Sequence, residues 1–164
     1  MANYRSIGPV FRIIALDPGG TTGWATYSAF RDPRLRKFDY GQIGPEEHHL
    51  ELFNFLGLQQ VEDTQVVCES FEYRNTSRAG LVLVSKEYIG ITKLFCLERD
   101  IRYTEQTASM AKAFVKDSHI KKLGLWSSKD NHAMDAMRHL LRYITCGPMK
   151  DTSLARQLLN AAWR

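Results

Sequence analysis

The run Phe11-Arg12-Ile13-Ile14-Ala15-Leu16-Asp17 constrains this chain more than any other stretch of its sequence. It is short and apolar, ends in an aspartate, and is cut off by Pro18-Gly19-Gly20. Between turn signals, such a run reads as a buried strand. A buried strand needs other elements to cover it, so the rest of the chain must supply a sheet and its packing layers. At 164 residues, 44% of them hydrophobic and 24% charged, it has enough material for one domain with its own core. Those fractions exclude disordered, collagen-like and coiled-coil classes.

The remaining segments follow from their periodicity. Thr21-Thr22-Gly23-Trp24-Ala25-Thr26-Tyr27 continues into Phe30 with loose alternation, and a turn at Asp32-Pro33 leads to a third strand near Phe38–Ile43. Residues 11–43 therefore read as a three-stranded meander. Gly44-Pro45-Glu46-Glu47 opens a helix reaching about Val61, with proline and acids suited to its first turn. Gln65–Glu69 is a short apolar strand, and 77–98 is the longest helix. In that helix Leu81, Val84, Tyr88, Ile91 and Phe95 form one stripe, while Val82, Ile89 and Cys96 add a second. Either both stripes are buried in the domain or one faces a partner subunit.

Ile101–Tyr103 gives a fifth strand, followed by a helix over about 107–115 and a basic loop at Lys121-Lys122. A helix over 129–145 presents Ala133, Ala136, Met137, Leu140, Leu141 and Ile144 to a core, and Gly147-Pro148 stops it. An amphipathic helix over 152–163 closes the chain. The expected class is α/β: one domain over 1–164, core about 10–146, with a five-stranded mixed sheet flanked by helices.

The net charge of +4 is unevenly distributed. Residues 45–69 carry only acids, while the part from 100 onward is the most basic, which favours an anionic partner away from the acidic stretch. Cys68, Cys96 and Cys146 are odd in number and far apart, and read as buried thiols of a reducing cytoplasm. No apolar run approaches the roughly 18 residues that span a bilayer. The stretch from Val10 to Leu16 is too short for a signal peptide and is interrupted by Arg12, so no membrane association is expected.

Three places carry chemistry. Asp17 ends the first strand ahead of glycines that let a phosphate approach the backbone. Actin-like ATPases and sugar kinases open with a similar turn, so an actin-like nucleotide-binding module is one alternative. That fold repeats its phosphate loop in a second half, for which this length leaves no room. Glu69 ends a neighbouring strand. His132 and Asp135, three apart on a helix, share one face. His139, one turn further, reads as structural or solvent-exposed, and Asp130 and Asn131 as caps of that helix. Three carboxylates and an imidazole crowded together suit Mg²⁺ or Mn²⁺, whose charge relieves the mutual repulsion. Two such ions about 4 Å apart can activate a water and stabilise the leaving oxygen of a phosphodiester.

In their order and spacing, the blocks DPGGTTG, VVCESFEYR and DNHAMDAMRHLL resemble the RuvC-like Holliday junction resolvases, especially their small phage-encoded branch. The resemblance implies a ribonuclease H-like fold, a homodimer built partly on helix 77–98, and metal-dependent paired nicking of four-way DNA junctions. For a phage-encoded member it also implies the cytoplasm of a bacterial host. Asp17 corresponds to the aspartate that bridges both metals, Glu69 to the strand-four acid, and Asp135 to the aspartate of the last helix. His132 stands where members carry aspartate or histidine.

One position departs from the family pattern. Three residues after Glu69, where bacterial members have a junction-opening aromatic, this chain has Glu72, flanked by Phe71 and Tyr73. Either ring could stack on an unpaired base. Arg74, Arg78, Lys112, Lys116, Lys121, Lys122 and Lys129 are the expected phosphate contacts, Lys112 and Lys116 through one helix face at i, i+4. Arg138 and Arg142 lie further along the last catalytic helix. The alternatives within this fold are a broader nuclease of flaps, forks and replication intermediates, and a DNA-binding protein without catalysis.

Overall fold

A computed structural model describes residues 8–45, 48–71, 79–148 and 152–164, with the backbone alone over 79–83. Its strands are β1 (Phe11–Asp17), β2 (Thr22–Ala29), β3 (Arg36–Ile43), β4 (Asp63–Glu69) and β5 (Arg102–Gln106). Its helices are α1 (His48–Gln59), α2 (Ala79–Glu98), α3 (Ala108–Phe114), α4 (Asp117–Lys122), α5 (Asn131–Cys146) and α6 (Thr152–Ala162). The strands form one mixed sheet in the order β3-β2-β1-β4-β5. β1, β2 and β3 pair antiparallel as the expected meander, whereas β4 runs parallel to both β1 and β5. Parallel neighbours need crossovers, which α1 and α2 provide.

Alternation along the central strands separates two cores. Ile13, Ala15, Tyr27 and Val67 pack against Met134, Met137, Leu140 and Leu141 of α5. Ile14, Leu16, Val66 and Cys68 point the other way, into Leu52 and Leu56 of α1 and Tyr88, Phe95 and Cys96 of α2. Burying a side chain of this size contributes roughly 1.5–3 kcal/mol, so each face of β1 holds its own helical layer in place. α1, which belongs to the acidic stretch 45–69, thus lies on the sheet face opposite α5.

Both stripes of α2 turn inward where they are described. Tyr88 and Phe95 of one and Ile89 and Cys96 of the other are buried within the subunit. Among its described side chains, the apolar ones that face outward are Leu94 and Leu97, 55% and 81% exposed.

Four expectations are corrected. Lys121 and Lys122 are not in a loop; they end α4, whose acidic start and basic end suit the helix dipole and which Gly124 terminates at φ 71°. Lys112 and Lys116 do not share a helix, because the chain becomes extended at Val115 and Lys116 precedes α4. Cys146, at the end of α5, is exposed rather than buried; Cys68 and Cys96 are buried thiols. Asp130 occupies the cap position of α5 but makes no side-chain cap, because its carboxylate accepts from Ser127 Oγ at 2.6 Å. Among the described residues, no helix is long and apolar enough to cross a membrane.

Candidate active site

Leu16 pairs with Cys68 across parallel β1 and β4, so Asp17 and Glu69 end adjacent strands at the same edge of the sheet. Both side chains are largely covered, at 13% and 23% exposure. The first turn of α5 lies over this edge, and Gly23 is what lets it do so. A Cβ at Gly23 would sit 1.9 Å from the carbonyl oxygen of His132 and 2.7 Å from the nitrogen of Ala133. Only glycine permits the helix backbone to rest on β2 at this distance. Gly23 pairs with Asp17 in the β1–β2 ladder, so the contact carries α5 directly to the strand end that bears Asp17.

Gln42 of β3 fixes the helix start. Its Oε1 accepts from the backbone N–H of His132 at 3.2 Å, and its Nε2 donates to Asp130 at 3.5 Å. One of the orphan donors of the first helical turn is thereby satisfied from another element. The helix then delivers its polar face to the strand ends. His132 Nδ1 lies 3.2 Å from Asp17 Oδ2. Asp135 is held by Arg138, one turn on, and by Lys112 of α3 at 3.1 Å, while Arg138 also grips Asp117. Glu69 Oε2 lies 2.9 Å from His139 Nε2. His139 is therefore not solvent-exposed: it is buried, and its other ring nitrogen faces Gln106.

Crowding of the acids appears in their electrostatics. Burial pushes the Asp17 carboxyl up to about 6, the charges of Glu69 and Asp135 push in the same direction, and the His132 hydrogen bond opposes them. Carboxylates that hinder one another's ionisation in a shared cleft form a donor set suited to a hard divalent cation. Among the described residues, no three His, Cys, Asp or Glu side chains stand close enough to hold one ion as they are oriented. His132, His139, Lys112 and Arg138 occupy the carboxylates instead. Each carboxylate oxygen keeps a second lone pair, and the half-exposed His132 has room to turn, so the residues fit Mg²⁺ or Mn²⁺ in kind.

The expected DNA contacts divide. Lys112 belongs to the site, lining both a cavity of about 280 Å³ with Glu69 and Phe71 and one of about 520 Å³ with Lys116, Asp135 and Arg138. Lys116 reaches the same place from outside α3, its Nζ donating to the Lys112 carbonyl at 2.9 Å. Phe71 stands half-buried two residues past Glu69, with Lys86 Nζ 5.2 Å from its ring centre. Lys121 lies over the Trp126 ring at 4.7 Å, and Lys122 donates to the Ala162 carbonyl at 3.4 Å, tying α4 to α6. Lys129 is exposed just ahead of α5. Tyr73, Arg74 and Arg78 lie outside the described residues.

Gly23, Gln42, His139 and Arg138 complete the site, and sequence reasoning assigned none of them a role in it. An isolated glycine in a β-branched strand was the available signal for the first, since it marks a close backbone approach. His139 and Arg138 follow Asp135 at i+4 and i+3, on its own helix face.

A mixed five-stranded sheet, antiparallel on one side and parallel on the other, with carboxylates at the ends of β1 and β4 and on α5, defines a ribonuclease H-like α/β fold. Within that class the fold is RuvC-like. The structure of Thermus thermophilus RuvC in complex with a Holliday junction substrate superposes with a TM-score of 0.55 over 79% of this chain and 89% of its own, at 14% identity. A further T. thermophilus RuvC structure gives 0.55 over 79% and 90%, at 13% identity. The yeast mitochondrial Holliday junction resolvase Ydc2 aligns with 96% of this chain and 79% of its own at a TM-score of 0.46 and 13% identity. No family model and no curated protein matches the sequence.

Proposed function

We propose that the chain is a dimeric, Mg²⁺- or Mn²⁺-dependent endonuclease that resolves four-way DNA junctions by paired nicking. The observation that carries this reading is the convergence of Asp17, Glu69, His132 and Asp135 on one sheet edge of a RuvC-like fold. A protein of that fold is known with a Holliday junction substrate, which supports branched DNA as the substrate here.

Asp17, Glu69, His132 and Asp135 would hold the ions, two per site. Bound there, they supply an activated water and charge stabilisation at the phosphate being cut. Lys112 and Lys116 bind phosphates beside the acids and set the register of the strand. Phe71, at the lip of the cleft, offers a ring for an unpaired base at the branch point. Arg138, nearly buried itself, holds Asp135 aimed at the edge.

Incubation of end-labelled four-way junctions with Mg²⁺ or Mn²⁺ tests the proposal. The expected products are symmetric nicks in opposing strands, absent in EDTA. Protein that binds junctions without cutting in either metal would overturn the nuclease reading. Equal rates on flaps and forks would widen the substrate class without changing the chemistry.

Paired nicking needs two sites, and the exposed Leu94 and Leu97 of α2 give a second copy an apolar surface to cover. Leu97→Lys should shift the protein from dimer to monomer in sedimentation equilibrium. Its melting temperature should change little, since the side chain is 81% exposed. Junction cleavage by the monomer should then give single, unpaired nicks.

A further inference from the structure

Of the partners that hold the three carboxylates, His139 is the most deeply set. His132 and Lys112, which face Asp17 and Asp135, are about half exposed, and Arg138 is 13% exposed. The His139 side chain is 1% exposed. It is also held from both ends, with Nε2 2.9 Å from Glu69 Oε2 and Nδ1 3.3 Å from Gln106 Oε1. Gln106 is buried, and it pairs with Glu69 in the β4–β5 ladder. Its amide serves either form of the ring, because it offers both a carbonyl and an NH₂ group. Three elements, α5, β4 and β5, therefore fix one imidazole against one carboxylate oxygen.

The chemical consequence concerns how Glu69 can bind a cation. An N–H from Nε2 occupies Oε2, and the ring has no room to swing away. An ion bound through Oε1 leaves this hydrogen bond undisturbed, whereas an ion bound through both oxygens of Glu69 competes with it for the lone pairs of Oε2. Calcium takes six to eight oxygen ligands and readily accepts both oxygens of a carboxylate, whereas magnesium demands a near-octahedral set. A carboxylate tied down at one oxygen suits the second ion better than the first.

We propose that His139, braced by Gln106, is a positioning residue that restricts Glu69 to one ligating oxygen and thereby selects Mg²⁺ or Mn²⁺ against Ca²⁺. The inference rests on the metal-site reading above. A histidine that merely filled the core would affect stability and leave ion selectivity alone.

The test uses the full chain without DNA. Mn²⁺ affinity is read from the electron paramagnetic resonance signal of free Mn²⁺, and Ca²⁺ affinity from its competition with Mn²⁺. His139→Phe keeps an aromatic ring but removes the donor, and His139→Gln restores an amide N–H near the place of Nε2. In His139→Phe, Mn²⁺ affinity should fall roughly 10–100-fold, the range for loss of a partner to a metal ligand. Its preference for Mn²⁺ over Ca²⁺ should fall about 10-fold, by the same principle. His139→Gln should recover most of both.

An unchanged ratio in folded His139→Phe, or a His139→Gln protein no more selective than His139→Phe, would overturn the inference. If His139→Phe does not fold, Gln106→Leu carries the test, because it leaves the ring in place but unbraced. There too the ratio should fall, and an unchanged one counts against the proposal. Mn²⁺ binding that is lost in Asp17→Asn while His139→Phe keeps wild-type selectivity overturns this inference alone. No Mn²⁺ binding by the wild type removes both readings.

Discussion

Asp17→Asn should melt higher than the wild type at pH 7.5 in EDTA, and should cut no junctions. In the folded, metal-free protein the Asp17 carboxyl ionises near 6 rather than 3.8, chiefly because it is buried and secondarily because Glu69 and Asp135 repel its charge. Its folded-state affinity for a proton exceeds that of the unfolded chain, so stability falls as pH rises through this interval. The cost begins near pH 4 and is complete above about 7. Asparagine escapes it. Two pH units correspond to about 3 kcal/mol, a figure in which the opposing contact with His132 is already included.

For a domain of this size that is roughly 6–12 °C in melting temperature. The advantage should disappear by about pH 4, where aspartate is already protonated. Thermal scans between pH 4 and 8 would expose a failure as a difference independent of pH. Cleavage should drop at least ~10³-fold, equivalent to about 4 kcal/mol of lost transition-state stabilisation. Under the proposed metal-site reading, the charge of Asp17 costs folding free energy that a bound cation would restore.

Gly23→Ala attacks the same site through the backbone. The added methyl carbon would meet the carbonyl oxygen of His132 at 1.9 Å, its carbonyl carbon at 2.1 Å and the nitrogen of Ala133 at 2.7 Å. All three are main-chain atoms, so no rotamer relieves the contact and α5 must lift from β2. We expect a loss of about 3 kcal/mol in urea unfolding, at the upper end of ordinary overpacking. Cleavage should fall about 10²-fold at temperatures where the protein is still folded, because His132 moves away from Asp17.

Two other glycines calibrate the result. Gly41→Ala would press on the Trp24 ring, a side chain that can shift, and Gly20→Ala would meet nothing within 4 Å. Gly41→Ala should cost less than Gly23→Ala, and Gly20→Ala should lie within about 0.5 kcal/mol of the wild type. Equal losses at all three positions would mean that the close approach at Gly23 is not what matters.

The strands that present Asp17 and Glu69 were legible because an apolar run between turn residues has few other ways to fold. The helix bearing His132 and Asp135 was legible for a similar reason, since its apolar positions leave those two on a common polar face. What local pattern could not convey is which polar groups meet across the sheet. Gln42 meets the start of α5 90 residues later in sequence, and His139 meets Glu69 over a separation of 70. The break between α3 and α4 leaves no mark in the sequence, because nothing in Phe114-Val115-Lys116 forbids a continuous helix; the extended backbone at Val115 and Lys116 makes it. Residue type alone predicts a side-chain cap at Asp130, but Ser127 three residues earlier competes as a donor to its carboxylate.

The seating of α5 on Gly23 also has a consequence for synthesis. A nascent chain that has emerged only through β5 can already pair β1 with β4, bringing Asp17 beside Glu69. It still lacks His132, Asp135 and His139, all of which arrive together on one helix. Two of the three acids therefore precede the element that completes the cluster. If the proposed nuclease reading holds, competence to cut DNA would arrive in a single late event of translation, when α5 docks.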